Sequence, residues 1–300
     1  MMRANIRRIN EKNNLRSSSL KGIAPKKKFG QNFMVDKGIL TAMVKAGKIT
    51  GTDLVVEVGP GTGNLTNELL KKAMFVIAVE KDRDMCRILK QNISPADQNR
   101  LAIIEGDIRD ITINQILNAY PKTADEVLSY KVVANLPYYV ANPVIRFFLE
   151  NKVKPESIVV MIQKEVGERI IALPPNMTLL SVSIQFYGKP RVIRIVPKGA
   201  FWPQPRVDSA ILEIIPHNLN NSVDSVMFFD IVRAGFRQPR KQLINNLPAL
   251  AIKYPSLSKE RILFLLKKNN LSSSRRAETL TITDWVRITE SLVGVLPNKS

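Results

Sequence analysis

The sequence predicts an α/β chain: an open Rossmann-like sheet followed by a small α-helical domain. Three observations carry this. Short apolar runs of strand type alternate with stretches at helical spacing through the first two thirds. The first run ends in a glycine-rich turn, Gly59-Pro60-Gly61-Thr62-Gly63, that leads into a helix. Beyond an Asn- and Ser-rich stretch at 217–224, only short helices are expected.

Residues 1–24 lack a sustained apolar period and are rich in Arg, Asn and Ser, which marks a basic flexible arm. The basic run Pro25-Lys26-Lys27-Lys28 leads into Phe29-Gly30-Gln31-Asn32-Phe33-Met34. Asp36 is placed to cap a helix running to about Lys48, with Ile39, Leu40, Met43 and Val44 on one face. Leu54–Val58 reads as the first buried strand. In the turn after it, glycines let a backbone approach a ligand, and the following helix N-terminus favours negative charge. The spacing is G-x-G-x-G, so a dinucleotide pyrophosphate cradle is not the best fit.

The second strand, Phe75–Val79, ends in Glu80, 21 residues after Gly59. An acid there is placed either to bind ribose hydroxyls or to cap the next helix, about 83–92. The third strand, Leu101–Glu105, ends in Gly106-Asp107, and Asp107 could accept from the exocyclic amine of an adenine. A helix around 113–120 and a turn at Pro121-Lys122 follow. Lys131–Ala134 is then a strand that ends in Asn135-Leu136-Pro137-Tyr138. Pro137 offers no N–H and biases Leu136 toward an extended conformation, so the strand stops sharply. Gly59, Glu80, Asp107 and Asn135 thus fall at successive strand ends, where open α/β sheets bind ligands.

A helix over 141–150, a fifth strand over 157–161 and a helix over 163–172 come next; 179–187 fits helix or strand. Strands are expected over 191–196 and 207–215. Between them Phe201-Trp202-Pro203-Gln204-Pro205-Arg206-Val207-Asp208-Ser209-Ala210 is a Pro-bracketed loop, either a platform of exposed aromatics or a packed hairpin corner. Four short helices are expected near 225–236, 239–252, 259–268 and 281–294. The resulting domains are 25–216 and 217–300.

Composition narrows the function. Apolar content of 45% is enough to build a core. Every apolar stretch is too short to span a membrane and no signal peptide is recognisable, so a cytoplasmic chain with no membrane partner is expected. One cysteine, Cys86, excludes an intramolecular disulfide. With His217 the only histidine, a Cys/His zinc site is excluded and no metal is expected. A Ser/His/Asp triad would have to use His217, in a linker-like stretch. The net charge is +19, and residues 1–28 together with 217–300 carry fifteen of those charges. A near-neutral body with two basic flanks suits a polyanion, with nucleic acid first; a solvated, solubilising face is the alternative.

Gly30-Gln31-Asn32-Phe33, Glu57 to Gly63, Glu80, Gly106-Asp107 and Asn135-Leu136-Pro137-Tyr138 stand in the order and spacing of the ribosomal RNA adenine dimethyltransferases. Phe201 to Ala210 resembles that family's F-x-P-x-P-x-V-x-S-A loop, and Phe236-Arg237-Gln238 with Arg240-Lys241 resembles the start of its helical domain. The resemblance spans about residues 25–295 and is nearest to the small-subunit housekeeping enzymes. It implies a seven-stranded mixed sheet whose last strand is antiparallel. It also implies S-adenosylmethionine as methyl donor, a monomer, and two adjacent adenosines near the 3′ end of the 16S rRNA of the small ribosomal subunit as substrate, each dimethylated on N6.

Carried over by position, Gln31, Asn32, Met34, Gly59, Gly61, Glu80, Lys81, Asp107, Ile108 and Asn135 would hold the donor, with Glu80 at its ribose and Asp107 at its adenine. Asn135, Leu136, Pro137, Tyr138 and Phe201 would form the reaction centre, with Tyr138 and Phe201 sandwiching the base. Arg233, Arg237, Arg240 and Lys241 would contact RNA. Three departures stand out: Met34 for the usual Leu, Pro239 for the usual Arg, and no Gly/Tyr-containing turn over Leu173 to Leu179. The competing readings are a resistance methyltransferase of large-subunit rRNA, a non-catalytic RNA-binding assembly or transcription factor, and a nicotinamide oxidoreductase.

Overall fold

The computed structural model describes residues 26, 31–121, 129–218 and 223–293. The expected basic arm, Phe29, Gly30 and Lys122 lie outside them. The described chain divides into two compact units, one holding residues up to 167 together with 191–216, the other holding 168–190 and 217 onward.

The first unit is built on a seven-stranded sheet. Its strands are β1 (Leu54–Val58), β2 (Phe75–Glu80), β3 (Leu101–Glu105), β4 (Tyr130–Asn135), β5 (Ser157–Gln163), β6 (Gly188–Val196) and β7 (Ser209–Pro216). Their order is β3-β2-β1-β4-β5-β7-β6. The pairs β3–β2, β2–β1, β1–β4 and β4–β5 are parallel, and β7 joins β5 antiparallel. The mixed sheet follows from the residues. β1, β2 and β5 are near-continuous Val/Ile/Leu runs, as strands covered on both faces must be. β3, at one edge, is only half-buried.

Helices α1 (Lys37–Ala46), α2 (Asn64–Leu70), α3 (Arg83–Asn92), α4 (Ile113–Leu117), α5 (Ala141–Glu150) and α6 (Lys164–Ile170) connect the strands. Asp36 caps α1, accepting from Gly38 N and Ile39 N at 3.0 and 3.3 Å. Met43, Leu69 and Leu89 are fully buried against Val55, Val76 and Val133. Each such side chain contributes on the order of 1.5–3 kcal/mol relative to exposure. The sheet order reverses between β1 and β4, so the carboxyl ends of β1, β2, β3 and β4 open onto one crevice.

The second unit is helical. α7 (Leu179–Gln185), α8 (Ser225–Gly235), α9 (Leu243–Asn246), α10 (Lys259–Lys268) and α11 (Ile282–Val293) share a core around Phe186, Phe228, Leu265 and Trp285. Within residues 179–187, Leu179–Gln185 form helix, because Thr178 caps α7 reciprocally with Ser181. This stretch packs as part of the second unit: Phe186 stacks on Phe228 with ring centroids 4.0 Å apart. The division therefore departs from a single cut at 217. The helix expected over 239–252 is also shorter. Pro239 lies in a turn, α9 begins at Leu243, and Pro248 converts the remainder to a 3₁₀ segment, Leu247–Ile252. No helix among the described residues is long and apolar enough to cross a membrane.

Candidate active site

The crevice at the switch point is an open cleft. Its floor is the turn after β1. Gly59, Gly61 and Gly63 all have positive φ, at +69°, +56° and +85°. A Cβ at Gly59 would meet nothing nearer than Pro137 Cδ at 4.0 Å, so the backbone there lies open to a ligand. At Gly63 a Cβ would stand 2.6 Å from Leu89 Cδ1, so that glycine serves the packing of α2 on α3.

Glu80 ends β2 and is 8% exposed. Its carboxylate accepts from Gly61 N at 3.1 Å and from Asp82 N at 2.8 Å. Burial raises its pKa, and the two backbone donors oppose the rise. A carboxylate has about four lone-pair sites. The two backbone bonds fix the group and leave the others for hydroxyls in the cleft. Glu80 does not cap α3; Asp82 does, accepting from Asp84 N at 3.1 Å.

Asp107 follows β3. Arg109 Nε and Lys81 Nζ reach its carboxylate at 2.9 and 2.7 Å. Arg109 foremost, with Lys81, holds its carboxyl well below the ordinary range, so it is a firm acceptor. Ile108 beside it is buried and lines the cleft.

Asn135 ends β4, and its Nδ2 donates to the Asn32 carbonyl at 3.3 Å. That bond leaves the Asn135 side-chain oxygen as the free acceptor. Val140 N donates to the Pro137 carbonyl at 3.1 Å, which closes the turn. Tyr138 is half-buried, and its hydroxyl lies 2.9 Å from Ser209 Oγ. Met34 is a core side chain; its carbonyl accepts from Asn64 Nδ2 at 2.9 Å, so exchanging Leu for Met leaves this main-chain contact in place. Gln31 Nε2 donates to Asp82 at 3.3 Å, which fastens the segment before Asn32 at the rim.

Phe201 departs from the exposed-platform alternative. It is 1% exposed, and Met34 pairs with it while Phe33 pairs with Trp202 in a two-residue antiparallel bridge. Trp202 stacks on Phe33 at 6.5 Å. The loop is a packed corner, and Phe201 forms a buried wall of the cleft. Packing against a segment over 160 residues earlier in the chain covers the ring, and no local pattern signals such a contact.

The structure brings Gln31, Asn32, Met34, Gly59, Gly61, Glu80, Lys81, Asp107, Ile108, Asn135, Leu136, Pro137, Tyr138 and Phe201 onto this one cleft. Three cleft or near-cleft features lay outside the sequence reading. Glu57 lines the cleft and is 1% exposed, with Thr66 Oγ1 donating to it at 2.6 Å. Burial pushes its carboxyl up to about 8. Tyr139 lines the cleft and is 56% exposed, and Arg109 holds Asp107. An acid inside an apolar strand and a second aromatic after the Pro were the available signals. Arg233, Arg237, Arg240 and Lys241 are exposed on the helical unit. Arg233 pairs with Asp230 at 2.7 Å, while no carboxylate among the described residues pairs with the other three.

A family model described as ribosomal RNA adenine dimethylase matches residues 23–288. The chain belongs to that family. Among its relatives is a ribosomal RNA small subunit methyltransferase A of Dehalococcoides mccartyi, 44% identical over 90% of this chain and 89% of the relative. One of the same name from Bacillus cereus is 36% identical over 91% of this chain and 92% of the relative. Of solved structures, a dimethyladenosine transferase from Plasmodium falciparum superposes with a TM-score of 0.72 at 25% identity, covering 86% of this chain and 96% of that one. The 23S rRNA methyltransferase ErmE shares the fold at TM-score 0.64 and 19% identity, over 87% of this chain and all of that one. The residue types of the cleft described above suit a nucleoside-bearing sulfonium donor. A bare backbone floor, two fixed carboxylates at strand ends and an apolar wall fit one ribose, one adenine and one methionine arm.

Proposed function

We propose that this chain transfers methyl groups from S-adenosylmethionine to the N6 amines of two adjacent adenosines in the 3′-terminal hairpin loop of 16S rRNA, during small-subunit assembly in the cytoplasm. The observation that carries the reading is Asn135, whose amide nitrogen is spent on the Asn32 carbonyl and whose oxygen is left to accept at the end of β4.

An adenine amine is a poor nucleophile because its lone pair is delocalised into the ring. Two acceptors can hold its two hydrogens and favour a pyramidal nitrogen with the lone pair directed away from them. We assign these roles to the Asn135 side-chain oxygen and the Leu136 carbonyl. The Pro137 carbonyl is already engaged by Val140 N. Tyr138 offers a face to a base flipped out of its loop. Phe201 backs this site as a wall, and stacking on its face would require its ring to be uncovered.

The donor, when bound, supplies an activated methyl on a sulfonium that is a good leaving group. Glu80 would hold its ribose, Asp107 and Ile108 its adenine, and Gly59, Gly61, Gln31, Asn32, Met34 and Lys81 its remaining edges. With the leaving group so good, positioning carries most of the rate, and a well-oriented pair of reactants supplies on the order of 7–11 kcal/mol. Arg237, Arg240 and Lys241 would meet phosphates.

Asn135→Ala tests the central role. Donor affinity should stay within about twofold while methyl transfer falls by at least about a hundredfold. Turnover near that of the wild type would remove Asn135 from the reaction centre.

A further inference from the structure

We infer that Ser209 is a positioning residue for the methyl-transfer step, acting through the Tyr138 hydroxyl. The inference rests on the function proposed above and extends it to a residue outside the strand-end turns.

The Tyr138 hydroxyl and Ser209 Oγ are 2.9 Å apart. Ser209 is fully buried, at 0% exposure, and Tyr138 is half-buried. A buried hydroxyl is rarely left without a partner, and here the partner is a ring standing in the cleft. Ser209 itself is held in the sheet. It is the first residue of β7 and pairs in register with Gln163 of β5. Just before it, the Asp208 carbonyl accepts from Lys164 N at 3.0 Å, and the Asp208 carboxylate accepts from Lys198 N at 3.0 Å. The Pro-bracketed loop ahead of it is anchored by the Phe33–Trp202 and Met34–Phe201 pairing.

Tyr138 is therefore held at both ends. Its backbone follows Pro137, whose φ is fixed by the ring, in a turn closed by Val140 N on the Pro137 carbonyl. Its hydroxyl is tied to a strand that starts 71 residues later in the chain. A tyrosine side chain has two free torsions; the tether at the hydroxyl fixes the first, and with it the direction of the ring axis, because the second leaves the hydroxyl oxygen in place. The position of the ring on which a flipped base would stack is then set relative to Asn135 before the substrate arrives. Without the tether the ring can swing about its Cα–Cβ bond, and the base moves with it. A base misplaced by about 1 Å can cost up to about a hundredfold in rate. The tether joins two motifs that look unrelated in sequence, the Asn135 to Tyr138 turn and the loop ending in Ser209-Ala210.

The test is a double-mutant cycle on methyl transfer to unmethylated small subunits, using the full chain with Ser209→Ala, Tyr138→Phe and both together. Each single variant should lower kcat by about tenfold, within the range of one lost hydrogen bond. The double variant should be no slower than Tyr138→Phe alone. The KM for S-adenosylmethionine should stay at its wild-type value and the thermal midpoint should fall by only a few degrees, leaving each variant folded at the assay temperature, whereas a merely structural Ser209 would lower kcat only in step with the folded fraction. Multiplicative losses in the double variant, or wild-type kcat in Ser209→Ala, overturn the tether. A fall in thermal midpoint that accounts for the loss of kcat overturns it too. If the wild-type chain transfers no methyl group, the functional reading fails and the tether falls with it. If the wild type is active and Ser209→Ala matches it, the tether alone fails.

Discussion

Replacing Glu57 by Gln should change how the stability of the first unit depends on pH. Glu57 lies on β1, two residues after Val55 and on the same face, where the strand meets α2. It is 1% exposed, and among the described residues Thr66 is the side chain that donates to it. Burial, with a smaller push from the Glu80 charge, raises its carboxyl from the usual 4.5 to about 8. The folded pKa is above the unfolded one, so between these values the folded chain keeps a proton that the unfolded chain has lost. The contribution is whole below 4.5 and is lost as the pH rises through about 8. The slope is about 1.4 kcal/mol per pH unit, which gives about 5 kcal/mol at most over the whole interval.

Gln has nearly the same shape, still accepts from Thr66 and carries no charge at any pH. The assay is urea unfolding of both chains at about pH 5 and about pH 8, read by pulsed hydrogen exchange in the peptide over Leu54–Leu70. At low pH the two should differ by less than about 1 kcal/mol. At high pH the Gln variant should be more stable by several kcal/mol. Saturating S-adenosylmethionine, a cation, should narrow the gap by favouring the ionised acid. A stability difference that stays flat between the two pH values would refute the buried, protonated Glu57.

Three further outcomes are expected. Glu80→Ala removes the acceptor that Gly61 N and Asp82 N hold in place, and should weaken S-adenosylmethionine binding by about tenfold or more in calorimetry; unchanged affinity would remove Glu80 from the donor site. Gly235→Ala places a Cβ 2.5 Å from Cη2 of the fully buried Trp285, so it should destabilise the helical unit by about 1–3 kcal/mol in thermal melts, and an unchanged midpoint would contradict this packing. Arg237→Ala together with Lys241→Ala should lower RNA affinity and reduce the slope of log K against log salt by about one to two, and an identical slope would place both side chains off the phosphates.

Most of what builds the first unit was legible because it is local. Strand runs, the glycine turn and the Asp36 cap each write themselves into a few adjacent residues. Glu80, Asp107 and Asn135 could be placed at one edge because parallel strands in a doubly wound sheet end on the same side. What was missed depends on contacts far apart in sequence. Beside two prolines Phe201 fits an exposed platform or a packed corner, and only the Phe33–Met34 segment that covers it decides between them. Ser209 reads only as part of the Pro-bracketed loop entering the strand over 207–215, and only the fold shows Tyr138 against it. Residues 168–190 fall between two strands of the sheet, so sequence order assigns them to the first unit. Their burial with Phe228 and Phe229 is a tertiary choice that no local propensity encodes. The short α9 is a different case: Pro239 and Pro248 stand in the sequence itself, and both break a helix there.

The most direct test is transfer of labelled methyl groups from S-adenosylmethionine to unmethylated small ribosomal subunits, followed by nucleoside analysis of the mapped fragment. N6,N6-dimethyladenosine at two adjacent positions in the 3′-terminal hairpin is the result expected here. Label confined to large-subunit rRNA, or tight subunit binding with no label at all, would contradict it.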